Sequence, residues 1–442
     1  MTTRLLPALI AATVLFAAPG LGQILPGGLG GAVGGIERAA TGFTRPLLGE
    51  GVSAKRQGSI AGSSVDRLSS VVPSIADTPS SLLDLRAIRL SNLIRQNRAT
   101  LDRDAAGNPV RRDRLVALDP DAAALAAAAR AGFRVIASEG EPGLGLALVV
   151  LAVPARYGPR QALDALRRAA PGLQLDFDHV YEPAGGALAP TAAVMAAGAA
   201  GFSAPGARIA MIDGGVASHP SMTRAAIEQK GFAGPAKATG HGTAVASLLV
   251  GDQGAFRGAA RGATLFVGDV YGGDPAAGSA STIIRALGWA AAKRPSIITI
   301  SLVGPANRAM ERAVSVLRAR GIMIVAAVGN DGPAAPPQYP ASYDGVVAVT
   351  GVDAKGRALI EAGRAHHLDF AAPGAELAAA LPGKGYATVR GTSFAAPLAA
   401  ARLAATGSLA ALAAEARPGK GKVGRGIVCG PCRVDPRSVG AR

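Results

Sequence analysis

The stretch Ile209-Ala210-Met211-Ile212-Asp213-Gly214-Gly215 is a short apolar run that ends in an acidic residue and two glycines. From residue 207 onward, short apolar runs of this kind alternate with longer helical patterns. Such alternation is typical of a parallel sheet that is covered by helices on both faces. We therefore predict an α/β fold over residues 207–406, with functional sites beyond the carboxyl ends of its strands.

The alternation fixes the elements that we expect in this region. The predicted strands are Arg208–Ile212, Thr264–Asp269, Ile297–Leu302, Met323–Val328, Val346–Val352 and Leu368–Ala371. The predicted helices are Thr243–Val250, Ser281–Lys293, Ala306–Arg320 and Ser393–Ala405. The scarcity of aromatic residues, 4% of the chain, indicates a core of small side chains, which suits such a layered fold.

Polar residues stand at the ends of several of these elements. Asp213 follows the first strand, and Asn330 follows another strand. His241, in Gly240-His241-Gly242-Thr243, and Ser393, in Gly391-Thr392-Ser393-Phe394-Ala395-Ala396-Pro397, each begin a helix. Taken singly, the four residues could be turn or helix-capping residues. Together, at one edge of a sheet, they indicate a catalytic site.

These residue types suit acyl transfer. A serine hydroxyl needs a neutral imidazole to take its proton, and the imidazole needs a carboxylate on its other nitrogen. Ser393, His241 and Asp213 can fill these roles, and the helix start at Ser393 adds backbone N–H groups. Asn330 can supply a further donor to the oxyanion.

These motifs resemble the subtilisin family of serine endopeptidases, the subtilases, over residues 205–406. The resemblance implies a seven-stranded parallel sheet and peptide-bond hydrolysis through an acyl-enzyme. It also implies that Asp213 orients, that His241 acts as general base and then acid, that Ser393 attacks and that Asn330 donates to the oxyanion. No cofactor is implied, and no dense acidic loop of the calcium-binding type is present.

The chain departs from the family pattern at several positions. Gly214 stands where the family usually has Ser or Thr, so a hydrogen bond that supports the carboxylate would be missing. Phe394 stands where Met is common. The segment Ser301-Leu302-Val303-Gly304, expected to bind substrate, differs from the usual Ser-Leu-Gly-Gly, and Val303 is expected to narrow the first specificity pocket.

Residues 115–183 alternate helix and strand and predict a small α+β domain, which resembles the inhibitory propeptide of the family. His179 is interpreted as structural. Residues 184–206 are rich in Ala, Gly and Pro and are interpreted as an exposed linker. The resemblance implies self-cleavage within residues 183–205 and an inhibitor that is part of the same chain.

The N-terminus has the pattern of an export signal over residues 1–22, a short positive region followed by an apolar one. A membrane anchor is the alternative, but the apolar block is short and Pro and Gly interrupt it. We expect a secreted or periplasmic protein without a stable membrane span after signal cleavage. Residues 23–114 are expected to be a partly disordered leader with one amphipathic helix, Ser80–Arg98.

Residues 407–442 are interpreted as a basic tail. Residues 401–442 carry eight basic and two acidic side chains, which fits either a solvated tail or attraction to an anionic surface. No aromatic residues interleave these charges, so a nucleic-acid partner is not expected. Cys429 and Cys432 are expected to form a local disulfide rather than a redox or zinc site.

The sequence thus favours an exported, self-processed serine endopeptidase that acts on polypeptides. A catalytically weak or inactive subtilase-like binding protein is the alternative, because of Gly214 and the shortened loops. A third hypothesis is a basic surface-binding protein whose tail carries the function.

Overall fold

The computed structural model of the 442-residue chain describes residues 79–141, 143–184, 187–188, 202–383 and 385–441. The predicted signal peptide, most of the predicted leader and most of the predicted linker lie outside these residues.

The N-terminal described part is an antiparallel sheet with three helices. Its elements are α1 (Pro79–Gln96), β1 (Leu101–Arg103), β2 (Pro109–Leu118), α2 (Ala122–Arg130), β3 (Arg134–Glu141), β4 (Leu146–Ala152), α3 (Pro159–Ala169) and β5 (Gln174–His179). Strand β2 is central, since it pairs with β1, β4 and β5. The sheet therefore begins upstream of residue 115, where we expected this domain to start. The sequence did not indicate this earlier start, because the middle of β2 is charged and the strand has no continuous apolar run.

Both faces of this small sheet are covered. Leu115 and Ala117 pack with α2 and α3, whereas Val116 and Leu118 belong to the core that α5 and α6 of the second part help to form. Successive side chains of a strand point to opposite faces, so burial of all four residues requires two layers. One face thus belongs to this domain and the other is an interface.

The second described part has short connecting strands and a large sheet. Its elements are β6 (Glu182–Pro183), β7 (Ala187–Leu188), β8 (Arg208–Asp213), β9 (Ala226–Gly231), α4 (Gly240–Val250), β10 (Asp252–Gln253), β11 (Phe256–Arg257), β12 (Thr264–Asp269), α5 (Ala280–Ala292), β13 (Ile297–Ile300), β14 (Leu302–Val303), α6 (Arg308–Ala319), β15 (Met323–Ala327), β16 (Val347–Val352), β17 (Phe370–Pro373), β18 (Leu377–Ala380), β19 (Tyr386–Arg390), α7 (Thr392–Thr406) and α8 (Leu409–Glu415).

The predicted parallel sheet is confirmed. Seven parallel strands lie in the order β17-β16-β15-β13-β8-β12-β9. In β8, Ile209 and Met211 belong to a core with α4 and α7, and Ala210 and Ile212 to a core with α5 and α6. All four side chains are fully buried, which explains why this strand is a continuous apolar run.

Residues 407–441 do not form a solvated tail. The Val428 amide donates to the Ala371 carbonyl at 2.8 Å, and the Ala371 amide donates to the Gly426 carbonyl at 2.9 Å, so this segment extends the edge of the large sheet at β17. Cys429 and Cys432 are joined by a disulfide and are buried. The segment is therefore part of the folded unit. Its many charged residues led us to predict a solvated tail, but the apolar residues between them make buried contacts.

Candidate functional site

Asp213 and His241 meet at the carboxyl edge of the large sheet. Asp213 ends β8 and is fully buried, and its Oδ1 lies 2.8 Å from His241 Nδ1. Thr239 caps α4, since its Oγ1 accepts from the Gly242 amide at 3.0 Å. Gly242 allows the helix start to reach the strand end, because a Cβ atom there would lie 2.2 Å from the Gly214 carbonyl oxygen.

The Asp213 carboxylate is held unevenly. Its Oδ1 accepts from the Gly214 amide at 2.7 Å as well as from His241. Its Oδ2 is buried and has no hydrogen-bond partner among the described residues. A backbone amide of residue 214 thus supports the carboxylate at Oδ1, although Gly214 has no hydroxyl that could donate to it.

Ser393 is the second residue of α7 and is fully buried. The Ser301 hydroxyl donates to the Ser393 carbonyl at 2.9 Å and so fixes the first turn of this helix. Phe394 places this turn beside His241, with ring centroids 5.4 Å apart. In the described part of the chain, neither Ser393 Oγ nor His241 Nε2 has a hydrogen-bond partner, so the structure joins Asp213 to His241 but does not join His241 to Ser393.

Asn330 lies beyond the end of β15 and is oriented by the start of α7. The Thr392 amide donates to Asn330 Oδ1 at 3.0 Å, and Thr392 Oγ1 accepts from the Gly329 amide at 3.1 Å. The Asn330 side-chain amide then donates to the carbonyl oxygen of Ala184. Thr392 Oγ1 lies 3.5 Å from the same carbonyl oxygen, so two side chains converge on one backbone acceptor.

The chain segment that carries Ala184 runs through the site as an extended strand. Strand β6 pairs antiparallel with β14, with Pro183 opposite Leu302 and Glu182 opposite Val303. The Ala184 amide donates to the Ser301 carbonyl at 2.8 Å, and Ala184 is buried. Residues 301–303 of the predicted substrate segment therefore bind this strand, and Gly304 lies against the ring of Tyr181.

The chain also pairs with the catalytic region on the other side of residues 185–186. Strand β7 pairs antiparallel with β19, with Leu188 opposite Val389 and Ala187 opposite Arg390. The backbone on both sides of the Ala184–Gly185 bond is thus bound to strands of residues 202–441.

Carboxylates of β5 bind the starts of two helices. Asp178 accepts from the Ser281 amide and from the Ser281 hydroxyl, both at 2.8 Å, at the first turn of α5. Asp176 accepts from the Arg308 amide at 2.8 Å, at the first turn of α6. A helix N-terminus favours negative charge, so these contacts tie the small domain to the large one.

Sequence reasoning missed Thr239, Thr392 and Ala184. Thr392 lies inside the Gly391–Pro397 motif and could have been found there as a hydroxyl residue next to Ser393. Thr239 and Ala184 carry no pattern of their own, because their roles depend on contacts with distant parts of the chain.

The described residues contain neither a cluster of metal ligands nor a single helix that could span a membrane. No group of three or more His, Cys, Asp or Glu side chains there could hold a metal ion. No single described helix has the length and hydropathy of a membrane span, and α7 and α8 reach that composition only together, bent by 112°.

At the carboxyl edge of the parallel sheet, a carboxylate–imidazole pair thus lies beside a helix whose second residue is a serine. Serine hydrolases use such an arrangement. Residues 204–415 match the model of the subtilase family. Subtilisin BL of Lederbergia lenta is 32% identical over 202 residues, which are 45% of this chain and 74% of that protein. The major intracellular serine protease of Bacillus subtilis is 33% identical over 216 residues, 45% of this chain and 67% of the relative.

The chain therefore belongs to the subtilase family, and its enzyme class is that of serine-type endopeptidases. The fold is also that of fervidolysin from Fervidobacterium pennivorans, described as a keratinolytic enzyme related to subtilisin, with a TM-score of 0.62 at 18% identity. That likeness covers 73% of this chain and 61% of fervidolysin.

Proposed function

We propose that this protein is an exported serine endopeptidase that is made as a self-inhibited precursor and cleaves its own chain between Ala184 and Gly185. One observation carries the proposal: the Ala184 carbonyl, within a strand bound along β14, accepts a hydrogen bond from the Asn330 side chain. A scissile carbonyl needs such a donor when its oxygen becomes negative.

The chemistry follows from the geometry around this carbonyl. Ser393 attacks the Ala184 carbonyl carbon while His241 takes the hydroxyl proton, and Asp213 stabilises the resulting imidazolium through Nδ1. His241 then returns the proton to the Gly185 nitrogen, which leaves as an amine, and water hydrolyses the acyl-enzyme. Asn330 and the first turn of α7 stabilise the oxyanion in both steps.

The small domain acts as the inhibitor in this proposal. Strand β6, which follows this domain, occupies the substrate groove, and Asp176 and Asp178 hold the domain on α6 and α5. Strand β7 places the chain after the cut against β19, so the bond is held on both sides. The export part of the proposal rests on the signal-like sequence of residues 1–22, which points to the periplasm or the outside of the cell.

Intact-mass analysis tests this function. The full chain, a Ser393→Ala variant and a Ser138→Ala control, which changes an exposed serine of β3, are purified and compared. We expect a cut after Ala184 and labelling by a fluorophosphonate in the wild type and the control, and neither in Ser393→Ala. A cleavage rate that does not change on dilution identifies the cut as intramolecular.

Among the described residues Ser393 Oγ and His241 Nε2 have no hydrogen-bond partner, which favours one competing function, a subtilase-like binding protein with little or no catalysis. An intact wild-type chain that resists the fluorophosphonate would support that alternative and overturn the proposed activity.

A further inference from the structure

Helix α1 lies upstream of the small domain in sequence, yet one stripe of its surface reaches the site. Four residues at positions 82, 86, 89 and 93 share this face of the helix, because they are spaced by four, three and four residues. They are Leu82, Arg86, Arg89 and Leu93. The stripe is about 16 Å long, since each helical residue adds about 1.5 Å. It is apolar at both ends and cationic in the middle, unlike the continuous apolar stripe of an ordinary surface helix.

The two arginines join the inhibitory strand to the loop of the oxyanion donor. Arg89 donates to the Glu182 carboxylate from Nε at 3.2 Å and from Nη2 at 3.3 Å, and its Nη2 lies 2.9 Å from Asp331 Oδ1. Arg86 Nε lies 3.1 Å from Asp331 Oδ2, so each oxygen of this carboxylate faces an arginine. Asp331 directly follows Asn330, and its side chain is only 6% exposed, so salt screens these pairs less than pairs on an open surface.

The apolar ends of the stripe pack on the catalytic region on either side of these ion pairs. A Cβ atom at Gly332 would lie 2.7 Å from Leu82 Cδ1, so only a glycine lets the helix come this close to the loop. At the other end, Leu93 packs against a small core to which the catalytic region contributes Ala276. The helix is therefore docked along the whole stripe and not only at its charged middle.

The same helix is tied to the small domain, so the proposed cut leaves both in one fragment. Arg86 donates to Asn108 Oδ1 at 3.2 Å, in the turn before β2. After cleavage of the Ala184–Gly185 bond, Glu182 lies two residues from a new chain end, which the short pairing of β6 with β14 holds. Chain ends held by few contacts fray readily. Arg89 opposes fraying, since it binds this end to Asp331 of the other fragment.

We infer that α1 is a second inhibitory element, a latch that keeps residues 182–184 in the groove after the Ala184–Gly185 bond has been cut. This inference rests on the proposed function. Peptidase activity then appears only as the N-terminal fragment dissociates, and loss of interface contacts acts mostly on the dissociation rate. The cut itself takes place in one covalent chain that already tethers the strand, so it depends far less on the latch.

The test compares the full wild-type chain with two variants that each lose two positive charges. Arg86→Ala/Arg89→Ala removes the latch, and Arg95→Ala/Arg98→Ala, which changes two exposed arginines at and just beyond the helix end, is the matched control. Intact mass follows the cut, and hydrolysis of a peptide with the sequence of residues 181–188 follows the release of activity. A fluorophosphonate counts the active sites.

The latch variant should reach full activity with a lag about tenfold shorter than that of the wild type, with the same cleavage half-time and the same final number of active sites. The control variant should keep the wild-type lag. An unchanged lag in the latch variant, an equal change in the control, or the absence of a lag in the wild type would overturn the latch. No cut and no labelling in any form would instead overturn the proposed function.

A coupling measurement separates a latch from a merely structural helix. Glu182→Gln and Arg89→Ala remove the two sides of one ion pair, so together they should shorten the lag no more than Arg89→Ala alone. Effects that multiply would overturn the latch, because Arg89 would then not act through the strand. Arg89→Lys keeps the charge but not the planar fork that pairs with both carboxylates, so it should give an intermediate lag even if the double variant does not fold. A wild-type lag in Arg89→Lys would also overturn the role of Arg89.

Discussion

Gly214 and Thr239 are packed so closely that a Cβ atom at residue 214 would lie 2.3 Å from Thr239 Oγ1. Thr239 in turn caps the helix that carries His241. A side chain at position 214 and the threonine at position 239 therefore cannot both fit. The two positions lie beside Asp213, whose carboxylate contacts His241.

The first prediction concerns this pair. Gly214→Ser alone should lower kcat and the free energy of unfolding, by about 1–3 kcal/mol, because the new side chain collides with Thr239. Gly214→Ser combined with Thr239→Gly should restore stability, since Gly is a tolerated helix cap. The restored hydroxyl could then donate to Asp213 Oδ2, and kcat for a peptide should equal or exceed that of the wild type. A single variant as active as the wild type would contradict the packing argument.

The second prediction concerns Asn330. Asn330→Ala should lower kcat about 10²- to 10³-fold with little change in KM, because the side chain binds the carbonyl oxygen most strongly when that oxygen is charged. Self-cleavage should slow by a similar factor, as measured by intact mass over time. A change in KM alone would assign Asn330 to ground-state binding instead.

The third prediction concerns Asp178, which binds the start of α5. Asp178→Asn should weaken inhibition of the mature enzyme by the separated small domain about tenfold, since the charge and one acceptor at the helix N-terminus are lost. Asp164→Asn, at an exposed position of α3, is the matched control. Inhibition constants that match for the two variants would show that the helix contact does not hold the domain.

The fourth prediction concerns acid. Burial opposes ionisation of Asp104, but hydrogen bonds from His179 and Asn108 outweigh it and lower the pKa of Asp104 from 3.8 to about 2. The stabilisation is therefore complete above about pH 4 and is lost as the pH falls towards 2.

Thermal unfolding of uncleaved Ser393→Ala precursor measures this effect. The difference in Tm between this precursor and the same protein with Asp104→Asn should be largest above pH 4 and should shrink towards pH 2. A constant difference over that range would exclude the carboxylate as its source.

The fifth prediction concerns the C-terminal segment. Deletion of residues 417–442 should destabilise the catalytic region, because Val428 hydrogen-bonds the edge of the large sheet and Cys429 and Cys432 are buried in its core. Unfolding in urea measures the change. An unchanged midpoint would restore the interpretation of this segment as a detached tail.

Apolar periodicity predicted the strands of the large sheet that are buried on both faces, but not β9. This strand lies at the sheet edge and its side chains are mostly exposed, so its sequence carries no apolar run. The C-terminal segment was missed because its apolar residues stand among charged ones, and because its backbone hydrogen bonds to β17 leave no pattern in the sequence.

The sequence predicted the candidate site residues that lie in recognisable motifs, which are Asp213, His241, Asn330 and Ser393. The occupant of the groove was not predictable, since Glu182 and Pro183, just before Ala184, are ordinary residues that pair with a strand more than 100 residues away in sequence. The ion pair of Arg89 with Asp331 was not predictable either, because Arg89 lies in α1, far from the site in sequence.

Strand β2 is buried on both of its faces, which would affect the small domain if the chain is cleaved as proposed. Val116, Leu118 and Leu148 are covered by the catalytic region, so a small domain that dissociates would present this apolar face to water. Such a fragment would be less stable alone than in the precursor and would itself become a substrate of the enzyme it has left. Activation would then run in one direction, because the inhibitor is consumed by its own release.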